Sequence, residues 1–299
     1  MISSDLTQIL VTGIAMGGVY TLMGLGLFIT FLTTRALNFG QGDFLMIAAF
    51  VGMMLLKRGL PVAVAVPVAL VALAGLGIVL ERGAVRPLAR HLAGSAGSLA
   101  WILTTLGFGL MLQNTATVIW GKSRFYSPPL FSSSDKQLVT LLGTGFYLEE
   151  IVVAGLTLAV VGGFYWFLFR AQSGKEIGAV AFDADTASLL GIDVKRVVVL
   201  SYVVMALLSG VAGVLVGPIT TVQSHMGLVF LLKGFAVVCI GGFTNPLGIL
   251  IAGVGFGVME RVSNYVDSAF GDLYPFVFVL LFLVARPSGL FAERRADVR

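Results

Sequence analysis

The sequence predicts an all-α, polytopic integral membrane protein with eight to nine transmembrane helices and a polar cytoplasmic loop. Of its 299 residues, 58% are hydrophobic and only 11% are charged, and the mean hydropathy is +0.99. A soluble domain carries about 25% charged residues, so this chain has too little polar surface to cover a globule in water. Charge-free apolar runs of about 20 residues, the length that spans a bilayer, recur along the chain. One polar stretch, 170–196, separates two of these runs.

The apolar runs define the helices in order, and no soluble segment of domain size interrupts them. We therefore expect residues 1–299 to form a single transmembrane domain. The second segment is short and contains polar side chains, so it is either a full span or a re-entrant or broken helix. The nine predicted segments are 8–33, 37–56, 61–80, 99–121, 150–169, 197–217, 229–244, 247–265 and 273–286.

Orientation follows from the basic residues, because cytoplasmic loops are rich in Lys and Arg. With 170–196 inside, most of the 19 basic residues lie in the cytoplasm, and nine crossings place the N-terminus outside. Lys57 conflicts with this bias, and the N-terminus moves inside if the second segment does not cross. Lys233 and Arg261 fall at or near the outer interface, with Arg261 paired to its neighbour Glu260 or contacting a partner subunit. The longest external connection, 122–149, is either a cap over the outer mouth, a contact for an external protein or a solvated connector.

The first polar constellation interrupts the second segment and reads Asn38-Phe39-Gly40-Gln41-Gly42-Asp43. Unwound backbone at membrane depth occurs only where it is buried in protein or lines water. An acidic residue at that depth is costly unless it is paired or hydrated. One interpretation is that Asn38, Gln41 and Asp43 line a translocation path or gate. The other is an interfacial turn, in which Asp43 is a carboxylate at a helix start.

The second constellation is the polar stretch 170–196. Asp183 and Asp185 precede a short helix-forming stretch, and carboxylates are favoured at the positive end of a helix dipole. Gly191 is a typical helix stop. The predicted short helix either docks in a groove on a cytoplasmic ATPase or is an ordinary amphipathic loop helix. Its apolar anchors would be Ala187, Leu189 and Leu190.

The third constellation runs from Gly241-Gly242 through Pro246 to Gly248. Proline lacks an amide hydrogen and glycine permits unusual dihedral angles, so the helix must break here. The break forms either a hairpin or a discontinuous helix near a substrate path.

Several residue types that enzymes need are scarce or misplaced. Gly121-Lys122-Ser123 resembles the end of a phosphate-binding loop, but Ala116 occupies the position of its first glycine. Two histidines and one cysteine give no set of metal ligands and no pair of nucleophile and base. The net charge of +4 is explained by cytoplasmic loops rather than by nucleic-acid binding. We therefore expect no cofactor, no metal and no enzymatic activity in this chain.

Together, and in this order, the three constellations resemble the permease subunits of the branched-chain amino-acid family of bacterial ABC importers. The resemblance covers nearly the whole chain. Asn38 to Asp43 is similar to the family's Asn-Phe-Ala-His-Gly-Glu region, with Gly40, Gln41 and Asp43 in place of Ala, His and Glu. The stretch from Gly174 to Gly191 resembles the ATPase-coupling loop, and Gly241 to Glu260 resembles the C-terminal glycine-rich block.

The resemblance implies an inner-membrane permease that pairs with a second homologous permease, two cytoplasmic ATPases and an external substrate-binding protein. ATP and magnesium would be bound by the ATPases. The implied substrates are branched-chain or other hydrophobic amino acids, and the departures at Gln41 and Asp43 leave urea, short amides or aromatic acids as alternatives. An ATP-independent channel or secondary carrier is a further alternative. The implied path residues are Asn38, Gln41, Asp43, Gly241, Gly242 and Pro246. The implied coupling residues are Gly174, Asp183, Asp185, Ala187, Leu189, Leu190 and Gly191.

Overall fold

The fold is known from a computed structural model that describes residues 2–87, 95–131, 138–141, 144–243, 245–268, 270–271, 273–286 and 289–290. The helices are α1 (Ile2–Thr34), α2 (Gln41–Lys57), α3 (Val62–Val79, continued by a π-helical segment, Leu80–Val85), α4 (Ser95–Trp120), α5 (Leu148–Arg170), α6 (Gln172–Phe182), α7 (Ala184–Leu189), α8 (Val194–Val216), α9 (Met226–Gly241), α10 (Pro246–Val266) and α11 (Leu273–Ala285). The strands are β1 (Phe125–Tyr126), β2 (Leu138–Leu141), β3 (Thr144–Tyr147) and β4 (Thr221–Val222).

The prediction of an all-α polytopic membrane protein is confirmed, and each of the nine predicted apolar segments is a helix. Six helices in the described ranges have the length and composition to cross a membrane, namely α1, α3, α4, α5, α8 and α10. Three others are shorter, with 17 residues in α2, 16 in α9 and 13 in α11. Two small antiparallel ribbons, β1–β4 and β2–β3, were not predicted. In the predicted 122–149 connection, residues 132–137 and 142–143 lie outside the described part of the chain.

The helix ends separate into two groups. We call the end that carries α6 and α7 the loop end, and the other end the opposite end. At the loop end, the Arg35 side chain after α1 donates a hydrogen bond to the Ala181 carbonyl of α6. At the opposite end, Thr12 near the start of α1 donates to the Glu150 carboxylate in the first turn of α5, with 3.0 Å between the oxygens. The Lys57 ammonium at the end of α2 lies over the Phe125 ring of β1. The chain therefore alternates between the two ends through its first five helices.

Helix α1 lies at the centre of the bundle and packs against α5, α8, α9 and α10. Its closest approach is to α10, along Gly13 and Gly17 of α1 and Gly253 and Gly257 of α10. A Cβ atom at Gly17 would lie 2.7 Å from the Cα atom of Val254, which is too close for two carbon atoms. Lipid provides no hydrophobic drive between helices, so dispersion across such close backbone contacts stabilises the pair.

Candidate functional site

Helix α2 begins deep inside the bundle, not at its surface. The Gln41 amide nitrogen donates to the Met23 carbonyl of α1 at 2.7 Å. Met23 precedes the end of α1 by eleven residues, or about 16 Å at 1.5 Å per residue. The Asn38 amide contacts the Met205 sulfur of α8 at 3.9 Å, and Met205 lies about as far from the start of that helix. The non-helical segment after Arg35 therefore runs back into the bundle before α2 starts.

Helix α9 also begins inside the bundle. After α8, the chain forms β4, which pairs with β1 at the opposite end, and then turns back inward. His225, immediately before α9, lies 2.9 Å (Nδ1 to Nε2) from Gln113, a residue seven positions before the end of α4. A Cβ atom at Gly42 would lie 2.6 Å from the Gly227 carbonyl carbon. The first turns of α2 and α9 thus touch each other, and the two helices run to opposite ends of the bundle.

Asp43 lies where these two short helices meet. It is in the first turn of α2 and is partly exposed. Its Oδ1 atom lies 2.8 Å from the position that a Cβ atom would take on Gly227 of α9, and its Oδ2 atom contacts Gly109 of α4. The carboxylate therefore faces the first turn of α9, whose dipole presents its positive end there. Discontinuous helices with N-termini at membrane depth form the substrate and ion sites of many transporters.

Each interpretation of this first constellation describes part of the structure. Asp43 is at a helix start, as the turn interpretation requires. However, Asn38 and Gln41 are fully buried, and the polar segment lies in the protein interior, not at the end of the bundle. Sequence reasoning did not place Gln113 or His225 with this group, because they come from α4 and from the connection before α9. Together with Asp43 they are called the polar cluster below.

The third constellation is a hairpin between α9 and α10 and lies apart from Asp43. Gly242 has φ 93°, and the Asn245 side chain caps α10 by accepting from the Leu247 amide at 3.0 Å. Gly241 and Gly242 follow Gly227 by about 20 Å along α9. Pro246 lines an apolar cavity of about 390 Å³ at the loop end, with Leu168 and Lys175 among the other lining residues. The structure therefore does not bring Gly241, Gly242 and Pro246 together with Asn38, Gln41 and Asp43.

The coupling segment, residues 172–191, contains two helices. The predicted start of the short helix, α7, is correct. The Asp183 carboxylate accepts from the Thr186 amide at 2.9 Å and caps this helix. The predicted stop is also correct. Gly191 has φ 87°, and the amides of Gly191 and Ile192 donate to the carbonyls of Ser188 and Ala187 in a Schellman motif. Helix α6, which precedes α7, was not predicted.

The exposed apolar side chains of the coupling segment are concentrated at the ends of its helices. Leu189 is 88% exposed and Leu190 is 76% exposed, so two of the three predicted anchors are available to a partner. Ala187 is buried, so it packs α7 against the rest of the chain and does not face outward as predicted. Gly174 is also buried, and a Cβ atom there would lie 2.7 Å from the Leu168 Cα atom. Gly174 therefore lies where α5 and α6 pack closely against each other.

A buried ion pair links α1, α9 and α10, and sequence reasoning missed it. The Lys233 ammonium lies 3.1 Å from Oε2 of Glu260, and both side chains are less than a tenth exposed. The Tyr20 hydroxyl donates to Oε1 of Glu260 at 3.0 Å. Glu260 therefore pairs across helices with Lys233 and not with its neighbour Arg261, and Lys233 lies in the protein interior and not at the outer interface.

Comparison with known proteins identifies the family. The branched-chain amino acid transport system permease component family matches residues 9–286. This chain belongs to that family. The permease LivH of Escherichia coli K12 is 25% identical over 97% of this chain and 96% of its own. The permease BraD of Pseudomonas aeruginosa is 26% identical over 97% of both chains. A probable LivH of Methanocaldococcus jannaschii is 28% identical over 93% of this chain and 89% of its own.

Membership confirms the resemblance drawn from the three constellations and makes this chain a multi-pass membrane permease component. Members of the branched-chain amino acid permease family are ABC transporter subunits that are not themselves catalytic. The matched residues run from within α1 to the end of α11, so both the polar cluster and the coupling segment belong to the family fold.

Proposed function

We propose that this chain is the membrane subunit of an ATP-driven importer for branched-chain and other hydrophobic amino acids in the bacterial inner membrane. It would act as one domain, pairing with a second homologous permease to enclose the path. Two ATPases would bind ATP and magnesium and dock on the coupling segment, and an external protein would deliver the substrate. The cargo named for LivH and BraD supports the choice of substrate.

The observation that carries the proposal is the exposure of Leu189 and Leu190 on a capped, rigid turn at the loop end. Two neighbouring leucines exposed to water at the tip of a membrane protein are unfavourable unless a partner covers them. An amphipathic helix laid into an apolar groove is a common way to form such a contact. The Schellman motif after α7 fixes the backbone that carries Leu189 and Leu190. A movement of the bound ATPase can therefore be transmitted through α7 to α6 and α8.

The path is proposed to begin at the junction of α2 and α9. Asp43, Gln113 and His225 are all at least partly exposed on one face, beside exposed apolar side chains such as Leu228. A polar group that faces lipid is costly, so this face would line water between the two permeases. Asn38 and Gln41 would support the path from within the protein, and Gly241, Gly242 and Pro246 would belong to its inner end.

Deleting this chain from its host should reduce ATP-dependent leucine uptake at least tenfold, and expression from a plasmid should restore it. The measurement is uptake of radiolabelled leucine, urea and benzoate by energised cells. Loss of urea or benzoate uptake with leucine unaffected would assign a different cargo. Unchanged uptake of every candidate substrate, with the other transporter proteins present, would contradict the proposal.

A further inference from the structure

The Asp43 carboxylate has no hydrogen-bond or ion-pair partner among the described residues. Neither the Arg86–Glu81 ion pair nor the Lys233–Glu260 ion pair involves it. An unpaired carboxylate inside a membrane protein is costly and marks a functional site. It is therefore positioned to pair with a cation that the protein does not itself supply.

Gln113 and His225 extend this site toward the opposite end. Gln113 follows Gly109, which contacts the Asp43 carboxylate, by one helical turn on the same face of α4. Since Gln113 Nε2 and His225 Nδ1 are within hydrogen-bond distance, donation by the amide leaves the amide oxygen and the other imidazole nitrogen available. The polar cluster thus offers a carboxylate, an amide acceptor and an imidazole on adjoining segments.

Two buried oxygens beside the cluster also lack partners. Ser224, next to His225, is fully buried and its hydroxyl has no hydrogen-bond partner, and the same holds for the side-chain oxygen of Gln41, two residues before Asp43. Buried polar atoms are nearly always hydrogen-bonded. The Gln41 oxygen lies 3.3 Å from the position that a Cβ atom would take on Gly26 of α1, so it marks the interior side of α2 and not the face that carries Asp43.

The glycines around Asp43 keep space for its carboxylate. A side chain on Gly227 would begin 2.8 Å from Oδ1, and one on Gly109 would begin in contact with Oδ2. Gly107, two residues earlier on the same helix, has no atom within 4 Å of the position a Cβ atom would take. This contrast provides a matched pair of substitutions.

We infer that Asp43, Gln113 and His225 form a recognition site in the path for the ammonium group of a passing amino acid. The inference rests on the proposed function and adds the residues that read the cargo inside the membrane. Asp43 pairs with the ammonium, Gln113 accepts one of its hydrogen bonds, and His225 donates to the carboxylate of the same molecule. A compound of the same shape without an amine leaves Asp43 unpaired and passes poorly.

The transport test uses the complete transporter reconstituted with its partners in proteoliposomes. Asp43→Asn should reduce leucine transport at least tenfold, and Gln113→Leu should reduce it severalfold. Asn114→Leu should stay within twofold of the wild type, since Asn114 is exposed and bonds only to its own helix. Gly109→Ala should reduce leucine transport, whereas Gly107→Ala should leave it unchanged. Wild-type transport by assembled Asp43→Asn complexes would overturn the inference and leave the proposed function intact.

A labelling test separates recognition from a merely structural role. With Cys239 replaced by serine, Leu228→Cys, at an exposed position beside the polar cluster, should react with N-ethylmaleimide. Leucine should slow that reaction at least threefold, whereas 4-methylpentanoate, which is leucine without its amine, should not. A cysteine at position 114 should be protected by neither. Equal protection of Leu228→Cys by both compounds, or by neither, would overturn the inference, even if Asp43→Asn failed to assemble. An inactive wild-type complex would instead contradict the proposed function.

Discussion

Replacing Lys233 with methionine should leave little folded protein in the membrane. The ammonium of Lys233 on α9 and the carboxylate of Glu260 on α10 form a buried pair at 3.1 Å. Removing one partner of a buried pair leaves an uncompensated charge and costs about 3–5 kcal/mol in soluble proteins. The loss would also weaken the packing of α9, a helix of only 16 residues that begins directly after His225 of the polar cluster. We expect at least a tenfold lower yield of monodisperse protein in detergent.

The same geometry predicts a rescue. Lys233→Met combined with Glu260→Gln removes both charges and keeps an acceptor for the Tyr20 hydroxyl, which donates to Glu260 at 3.0 Å. Replacing a buried pair by neutral groups is often close to neutral in stability. The double variant should recover most of the yield and melting temperature. Lys195→Met, at an exposed position, is the control. A stable Lys233→Met variant, or a double variant worse than both single ones, would contradict the role given to the pair.

Replacing Leu189 and Leu190 with aspartate should abolish ATPase association and reduce uptake at least a hundredfold while the permease still inserts and folds. Both side chains are more than three-quarters exposed, so the folded chain loses few contacts of its own. A partner groove that buries them would instead have to desolvate two carboxylates. The measurement is co-purification of the ATPases with tagged permease, together with uptake.

Two controls separate docking from folding. Leu60→Asp changes an exposed leucine at the opposite end and should leave ATPase association intact. Ala187→Asp places a charge at a buried position of α7 and should reduce stability as well as association. If the ATPases co-purify normally with the variant that has aspartate at both Leu189 and Leu190, docking occurs elsewhere on the chain.

Features that depend on neighbouring residues could be predicted from the sequence. The apolar runs predicted all nine hydrophobic helices. Asp183 and Gly191 predicted the start and the stop of α7, because both act as local caps. Helix α6 was missed because Gly174 and Gly178 are typical of a loop. In the fold, the glycine at 174 permits a close helix crossing.

Features that depend on distant residues could not be predicted. The depth at which α2 begins depends on the bond from Gln41 to Met23, and nothing near Gln41 in the sequence specifies that partner. Glu260 pairs with a lysine on another helix, although Arg261 is its chemical neighbour. The polar cluster likewise joins α2 and α4 with the connection before α9, and only tertiary packing brings these segments together.

ATP-driven transport by this chain requires the coupling segment to face the cytoplasm, where ATPases can bind it. The direct measurement is labelling of Gly178→Cys, in a variant whose Cys239 is serine, by a membrane-impermeant maleimide. Gly178 is exposed, a Cβ atom there would have no other atom within 4 Å, and it is not among the predicted coupling residues, so the substitution should be tolerated. We expect no labelling in intact cells and strong labelling in inverted membrane vesicles. Labelling in intact cells would place the segment outside and contradict the proposed function.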